Sequence, residues 1–501
     1  MGVAPEEVAP PYSLVWTFKA EPVKRCFASP VVEGGRLFFV SRTVVRCLDV
    51  ETGAEVWRYQ LPAPSWCTPA VTGGKVLVGA DDGRLYCFEG KTGRLLWQYV
   101  TGGPVRGAPT VAGKIVLFGS GDDRLHAIDV NTGRRLWTFK ARDDVAVSPA
   151  VREGVVAFSS TDRYIYALDL KAGRMRWRFD AGTTYLFGSP TIGGRAVYVP
   201  AGNRLFCLAL RTGRLVWRFP AQGLITSAPA LAGGTLYFGA HDGRVYALDA
   251  RRGTLKWSAR VGWPVWGGVV LTGRFLLVGT EGGMLFALDR RTGRKVWSYR
   301  IHATSPDDLS RLFGVTSAPT VAMGMVFVYG EDGVLYAFSP KGIDEAPPRV
   351  EGAALILKAR DGSLVAYDLE EGTEGEPLTI PGAPPLRLVA FLFDQGSGIR
   401  PESIKVALNG RPLPFKYDQI KGRLSADLVT PAEGGVERPL PDGKYTLTVA
   451  AEDWRGRRAE EAFKFVVDNT LPPPPPPEER RAPEVFPGVP GTPGMPGVPP
   501  M

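Results

Sequence analysis

The sequence predicts an all-β chain: an eight-bladed β-propeller, then a smaller β-sandwich and a Pro/Gly-rich tail. Three observations carry this. Trp57, Trp97, Trp137, Trp177, Trp217, Trp257 and Trp297 stand 40 residues apart without a slip. The period stops after Lys341, yet short alternating runs continue to Asp468. From Leu471 the chain becomes a six-proline run, a charged patch and four G-x-P triplets.

Each tryptophan closes a motif D-x-x-T-G-x-x-x-W, as in Asp49, Thr52, Gly53 and Trp57, or Asp129, Thr132, Gly133 and Trp137. A small residue and proline recur in phase at Pro30, Pro69, Pro109, Pro149, Pro190, Pro229 and Pro319. A third element, D-G-R-hydrophobic-Tyr-Ala, lies between them, as in Asp242 to Ala247. A fixed period of this length also suits helical-pair solenoids. The repeat from Pro229 excludes them, because Gly233, Gly234, Gly239, Gly243 and Gly253 leave no room for two helices. Interior glycine costs a helix ~1 kcal/mol each. What remains are four short strands rich in Val, Leu, Tyr and Phe, which is one propeller blade.

Seven complete units end at the seven tryptophans. An eighth starts at Pro319 and runs through Tyr336 and Gly342 without its tryptophan strand. That strand is found at the other end of the chain. Leu14-Val15-Trp16-Thr17-Phe18 matches Arg135-Leu136-Trp137-Thr138-Phe139, so the N-terminal strand completes the last blade and closes the ring. Closure removes exposed strand edges. The expected layout is a flexible N-terminus at 1–11, the propeller at 12–342, a linker at 343–349, the sandwich at 350–470 and a disordered tail at 471–501.

With 61 glycines, 44 prolines and 44% hydrophobic residues, the composition suits a turn-rich β protein with real cores. The net charge of +9 is modest and dispersed. No apolar run approaches the roughly eighteen residues of a transmembrane helix. Met1 to Pro11 is polar and Pro-rich, without the basic start and apolar core of a signal peptide. Cytoplasmic placement and export with a trimmed leader both remain open on this point. Of five cysteines, Cys47, Cys87 and Cys207 occupy the position held elsewhere by Ala127, Ala167, Ala247 and Ala287. Together with Cys26 and Cys67 they form no C-x-x-C, so they read as small buried apolar residues.

The motif Ala127-x-Asp129-x-x-Thr132-Gly133-x-x-x-Trp137 resembles the hallmark of the PQQ-type β-propeller repeat family, over about residues 12–342. The resemblance implies that Trp16, Trp57, Trp97, Trp137, Trp177, Trp217, Trp257 and Trp297 dock neighbouring blades. One branch of that family, the quinoprotein dehydrogenases, holds the quinone PQQ and calcium at the propeller centre. Many of them carry an adjacent Cys-Cys pair and long insertions. This chain has no adjacent cysteines, no C-x-x-C-H and almost no insertions. It is more similar to the propeller lipoprotein of the outer-membrane β-barrel assembly machinery, a scaffold without chemistry, although the lipoprotein cysteine is missing. The expectation is therefore no cofactor and no enzymatic activity.

Function in such a ring lies where the repeats differ. The third position before the repeat proline reads Phe27, Trp66, Arg106, Ala146, Phe187, Thr226, Trp266 and Thr316. With Trp263, these form an aromatic cup at one mouth of the channel, or else a plug for a wide axis. From Trp57 to Trp217 the next repeat proline follows after 12 or 13 residues, but 22 separate Trp297 from Pro319. That insert, with His302, Asp307, Asp308 and Arg311, reads as a lid or contact loop, or as a short helix start. Arg94, Arg134, Arg174, Arg214 and Arg294 follow the T-G turns and read as solvated turn residues. His126, His241 and His302 show no catalytic or metal-ligand spacing. Aromatics are not interleaved with basic clusters, which disfavours nucleic acid.

In the C-terminal third, Asp394-Gln395-Gly396-Ser397-Gly398-Ile399, Asp442-Gly443-Lys444-Tyr445-Thr446-Leu447 and Phe463-Lys464-Phe465-Val466-Val467-Asp468 resemble bacterial immunoglobulin-like modules. Asp394 and Asp453 read as turn-capping carboxylates, with calcium as the alternative. The collagen-like triplets are too few to trimerise alone. The reading that results is a monomeric, extracytoplasmic scaffold that meets a protein or envelope polymer at its mouth. A quinone-dependent dehydrogenase and a carbohydrate-binding propeller are the alternatives.

Overall fold

Each repeat folds as one antiparallel four-stranded sheet, and eight such sheets form. The computed structural model describes residues 3–4, 6–22, 27–301, 313–370, 377–428 and 439–476, and among these it contains 42 strands and no helix. In the sixth blade the strands are Ala230–Ala232, Thr235–Ala240, Arg244–Asp249 and Leu255–Arg260, paired in chain order. Every residue of Thr235–Ala240 is buried. Neighbouring blades cover both of its faces, so it reads as a continuous apolar run and not as an alternation.

The first strand of each blade lies against the first strand of the next around a complete circle, so these strands surround the axis. Between the eighth and first blades Ala318 N donates to Ser29 Oγ at 3.0 Å and Thr320 Oγ1 to the Pro30 carbonyl at 2.5 Å. Thr110 and Thr191 make the same link to the carbonyls of Pro149 and Pro229, both at 2.6 Å. Ser13–Lys19 forms the outer strand of the eighth blade, with Trp16 opposite Ala337 and Thr17 opposite Tyr336. The ring is closed by the N-terminal strand.

The D-x-x-T-G turn is a self-contained cap. Asp129 Oδ1 accepts from the Asn131 and Thr132 backbone N–H at 2.9 Å each and from Thr132 Oγ1 at 3.1 Å. These donors hold the exposed carboxyl below its ordinary range. Gly133 follows at φ 66°, and a Cβ there would stand 2.8 Å from Trp97 Cδ2. Glycine is required twice over, for the left-handed turn and for the indole of the preceding blade. That indole then donates across the blade boundary. Trp16 bonds the Val50 carbonyl at 3.0 Å, Trp97 that of Val130 at 3.2 Å and Trp177 that of Leu210 at 2.8 Å. Trp57, Trp137, Trp217 and Trp257 do the same to Gly90, Leu170, Ala250 and Arg290.

Trp297 packs against the eighth blade as expected, with Phe338 in its buried cluster, but its indole N–H finds a different partner. The eighth blade ends in Ser339 to Gly342 without a T-G turn, and the Trp297 indole donates instead to the Ser397 carbonyl, 3.0 Å away in the C-terminal sandwich.

A bulge precedes every docking tryptophan. Ala127 faces Trp137 while Ile128 faces Arg135, leaving Leu136 as the extra residue, half exposed on the outer edge. The same shift recurs in the other blades, including at Val15. Bulges re-aim side chains and blunt edge strands. Cys47, Cys87 and Cys207 sit directly opposite Trp57, Trp97 and Trp217. They and Cys67 are buried free thiols, and burial pushes each up to about 12. Cys26 lies outside the described residues.

The start of the chain, expected as a flexible lead-in, has ordered contacts. Ala4 N donates to the Leu271 carbonyl at 2.7 Å, Val8 N to Thr272 Oγ1 at 2.6 Å, and Val8 and Tyr12 are buried between the last two blades.

Beyond the ring, two five-stranded sheets pack face to face. One contains Arg349–Lys358 and Arg387–Phe393, the other Ile399–Leu408, Gly443–Asp453 and Arg458–Val467. Leu355, Leu388, Val406, Leu447 and Phe463 belong to their common core. The sandwich is seated on the propeller. Leu14 N donates to the Gly396 carbonyl at 3.0 Å, Tyr299 OH to that of Gln395 at 3.0 Å and Trp454 Nε1 to that of Ser298 at 3.1 Å. Arg455 reaches Ser13 Oγ at 2.8 Å and the Pro340 carbonyl at 2.7 Å. The Pro/Gly tail past residue 476 lies outside the described residues.

Candidate functional site

The segment that leaves each outer strand crosses one face of the ring before it becomes the next innermost strand, so the third position before the repeat proline falls at the channel mouth. Phe27 and Trp266 come from blades that are not neighbours, yet their rings stand 6.0 Å apart. The eighth blade, entered at Thr316, lies between those two blades in the ring. Phe27 is 42% exposed and Phe187 53% exposed. Tyr185, 58% exposed, packs edge-on to Phe187 at 6.3 Å, and Leu224 is also exposed on this face.

Polar groups hold the larger rings. Asp81, in the turn between the middle strands of the second blade, accepts from Trp66 Nε1 at 3.0 Å and from Arg106 Nε at 2.9 Å. One carboxylate thus fixes two mouth residues from successive blades. Trp266 lies 3.9 Å from the His241 ring, centroid to centroid, and its carbonyl accepts from Thr226 Oγ1 at 3.3 Å. Trp263 lies against Gly282, where a Cβ would meet the indole at 2.7 Å. The mouth therefore carries two aromatic groups, Phe27 with Trp266 and the nearby Trp263, and separately the Tyr185–Phe187 pair.

The connector before the fourth blade, next to the one that carries Tyr185 and Phe187, is acidic. Asp123, Asp143 and Asp144 each bring a carboxylate oxygen within 4.8 Å of the others. Burial, then the charge of Asp143, raises the Asp144 carboxyl. Arg106 faces this group but is already paired with Asp81. His302, Asp307, Asp308 and Arg311 lie outside the described residues.

Sequence reasoning placed the rings at the mouth but missed what holds them. Asp81 and His241 occupy turns between middle strands, where the repeat carries acidic or polar residues in most blades, so nothing in the linear pattern marks them. The repeated Asp–Tyr pair nearby is structural. Asp82 and Asp332 cap their turns and accept from Tyr86 and Tyr336 at 2.5 Å each. In the third blade His126 replaces the tyrosine, bonding Asp122 at 3.1 Å.

The repeat is matched in known proteins. The family model described as outer membrane protein assembly factor BamB matches residues 12–109, 41–184 and 161–340. The chain belongs to this family. No curated protein matches it. Among solved structures, BamB from Moraxella catarrhalis aligns with a TM-score of 0.54 at 17% identity, covering 66% of this chain and 99% of that one. The quinohemoprotein alcohol dehydrogenase from Comamonas testosteroni aligns with a TM-score of 0.57 at 18% identity, over 67% of this chain and 77% of that one. The computationally designed Ika8 protein gives 0.57 at 15% identity, over 64% and 98%. At such identities the likeness to these structures establishes the propeller alone. The BamB family match covers the ring and stops short of the sandwich.

Proposed function

We propose that this BamB-family chain is a non-catalytic scaffold of the cell envelope that captures a partner protein at the channel mouth. The observation that carries this reading is the mixed mouth: exposed Tyr185 and Phe187 stand one connector away from the acidic group of Asp123, Asp143 and Asp144, with exposed Phe27 farther round the ring. Aromatic anchors beside charges of one sign suit a polypeptide segment that offers apolar and basic side chains. The sandwich, read as an immunoglobulin-like spacer, adds reach beyond the ring.

The same residues suit the quinone PQQ poorly. It carries three carboxylates, while Arg106, the cation at the third position, is paired with Asp81 and also feels Asp144, which belongs to a cluster of three aspartates.

Photo-crosslinking tests the proposal. A photoreactive residue at Phe187 should trap a discrete partner in cells, while one at the exposed Leu215 of the fifth outer strand should not. Equal capture at both positions would refute the assignment. Stoichiometric quinone uptake with dye reduction would replace it by a dehydrogenase. Quenching of Trp66 or Trp266 by glycans would replace it by a sugar-binding module.

A further inference from the structure

Three carboxylates from three separate segments meet where the connector leaves the propeller. Asp344 belongs to the stretch between the last propeller strand, Val334–Ser339, and the first sandwich strand, Arg349–Lys358. Asp394 follows Arg387–Phe393 in one sheet, and Asp453 ends Gly443–Asp453 in the other. One oxygen from each lies within 4.8 Å of the others. Asp344 is 5% exposed and Asp453 0%.

The turn-capping role expected of Asp394 and Asp453 is present, and it uses only half of each group. Asp453 Oδ1 accepts from Arg455 N at 2.7 Å and Arg457 N at 2.9 Å, and Asp394 Oδ2 accepts from Gly398 N. Asp453 Oδ2, Asp394 Oδ1 and Asp344 Oδ2 are buried and have no hydrogen-bond partner among the described residues. Ser397 Oγ, in the same loop as Asp394, is a fourth such oxygen. The loop is moulded to the group: a Cβ on Gly396 would lie 2.0 Å from Asp344 Oδ1.

Three carboxylates crowded together, two of them buried and with only the Arg457 charge acting on Asp453 against them, are unfavourable. Burial, followed by the charge of Asp344, pushes the Asp394 carboxyl up to about 7. Arg455 does not relieve them, since its guanidinium is spent on Ser13 and the Pro340 and Gly342 carbonyls. We infer that Asp344, Asp394 and Asp453 form a calcium site that ties the connector to both sheets of the sandwich. Calcium takes six to eight oxygen ligands at roughly 2.3–2.6 Å, so oxygens on opposite sides of one ion stand at most about 5 Å apart. The all-oxygen donor set selects a hard cation over zinc or copper. Calcium tolerates irregular geometry, whereas magnesium demands a near-ideal octahedron and retains its waters.

The site lies in the junction where Trp297, Tyr299 and Trp454 hold the sandwich to the seventh blade. An ion there fixes the angle between the two parts. It is remote from the mouth and independent of what binds there.

The test uses the full chain, stripped with EDTA and desalted, with no quinone present. Calorimetry should show one calcium bound per chain, and terbium should bind competitively with luminescence sensitised by the neighbouring Tyr299 and Trp454. The thermal midpoint should rise by several degrees with calcium. Asp344→Asn and Asp453→Asn should abolish uptake and the rise, while Asp143→Asn in the mouth cluster should leave both intact. Absence of uptake at millimolar calcium in the wild-type chain would overturn the inference. So would uptake that survives both junction substitutions. Asparagine variants that raise the midpoint equally with and without calcium would show that shared protons neutralise the group instead.

Discussion

The indole N–H of Trp297 donates to the carbonyl of Ser397 at 3.0 Å, across 100 residues of sequence. The other seven docking tryptophans satisfy the same donor on the next blade, within the D-x-x-T-G turn or its counterpart. Here a loop of the sandwich takes the place of the turn that the eighth blade lacks. Trp297 is fully buried, edge-on to Tyr12 at 4.9 Å and to Phe338 at 5.9 Å.

Trp297→Phe should therefore loosen the sandwich more than the ring. It leaves the Ser397 carbonyl buried without its donor, at a cost of about 1–3 kcal/mol. Limited proteolysis of the 343–348 connector should accelerate in this variant and remain at the wild-type rate in Trp97→Phe.

Closure of the ring rests on Trp16, which is tucked against Gly53 and bonded to Val50. Trp16→Ala should cost about 3–5 kcal/mol, the usual range for a large aromatic removed from a core. Guanidinium unfolding should show an earlier midpoint and a broader transition, because a ring opened at one blade loses cooperativity with its ends.

Two glycines with similar backbones should respond differently to alanine. Gly233 has φ 55° and open space around it, so Gly233→Ala should cost about 1–2 kcal/mol from the left-handed conformation alone. Gly133 has φ 66° and would place its Cβ 2.8 Å from the Trp97 indole, so Gly133→Ala should cost about 2–5 kcal/mol. Urea denaturation of the pair separates backbone strain from the lost indole contact.

His126 should make stability sensitive to mild acid. Burial lowers its affinity for a proton, outweighing the neighbouring Asp122. The unfolded chain then binds more protons on this side chain below about pH 6.5, so stability falls as pH drops through that value and is regained as pH rises above it. His126→Tyr restores the residue used at Tyr86 and Tyr166 and should flatten that part of the profile in thermal melts from pH 5 to 8.

How much of this was legible depends on whether a residue belongs to the period. Trp16 opposite Ala337 was readable because one strand motif was missing at one end of the repeat and present at the other. The glycine of each T-G turn was readable as a left-handed position, but not as the floor beneath the previous blade's indole. The bulge before each tryptophan was hidden, since a one-residue excess repeated in every blade leaves the spacing intact. Trp297 looked like its seven counterparts, and only the sandwich loop makes it different. At the mouth, ring residues stood out as departures from small side chains, whereas Asp81 and His241 replace residues that are already polar. Asp344 was invisible for a simpler reason. It lies in a connector with no pattern at all, and its meaning depends on two aspartates brought from other strands.

Pairing Ser13 with Ser339 also fixes an order of events. Ser13–Lys19 cannot complete its blade until Val334–Ser339, roughly three hundred residues further along the chain, is in place beside it. Until then blades one to seven can form only an open arc, with the unpaired segment and the uncovered side of the first blade needing protection from other chains.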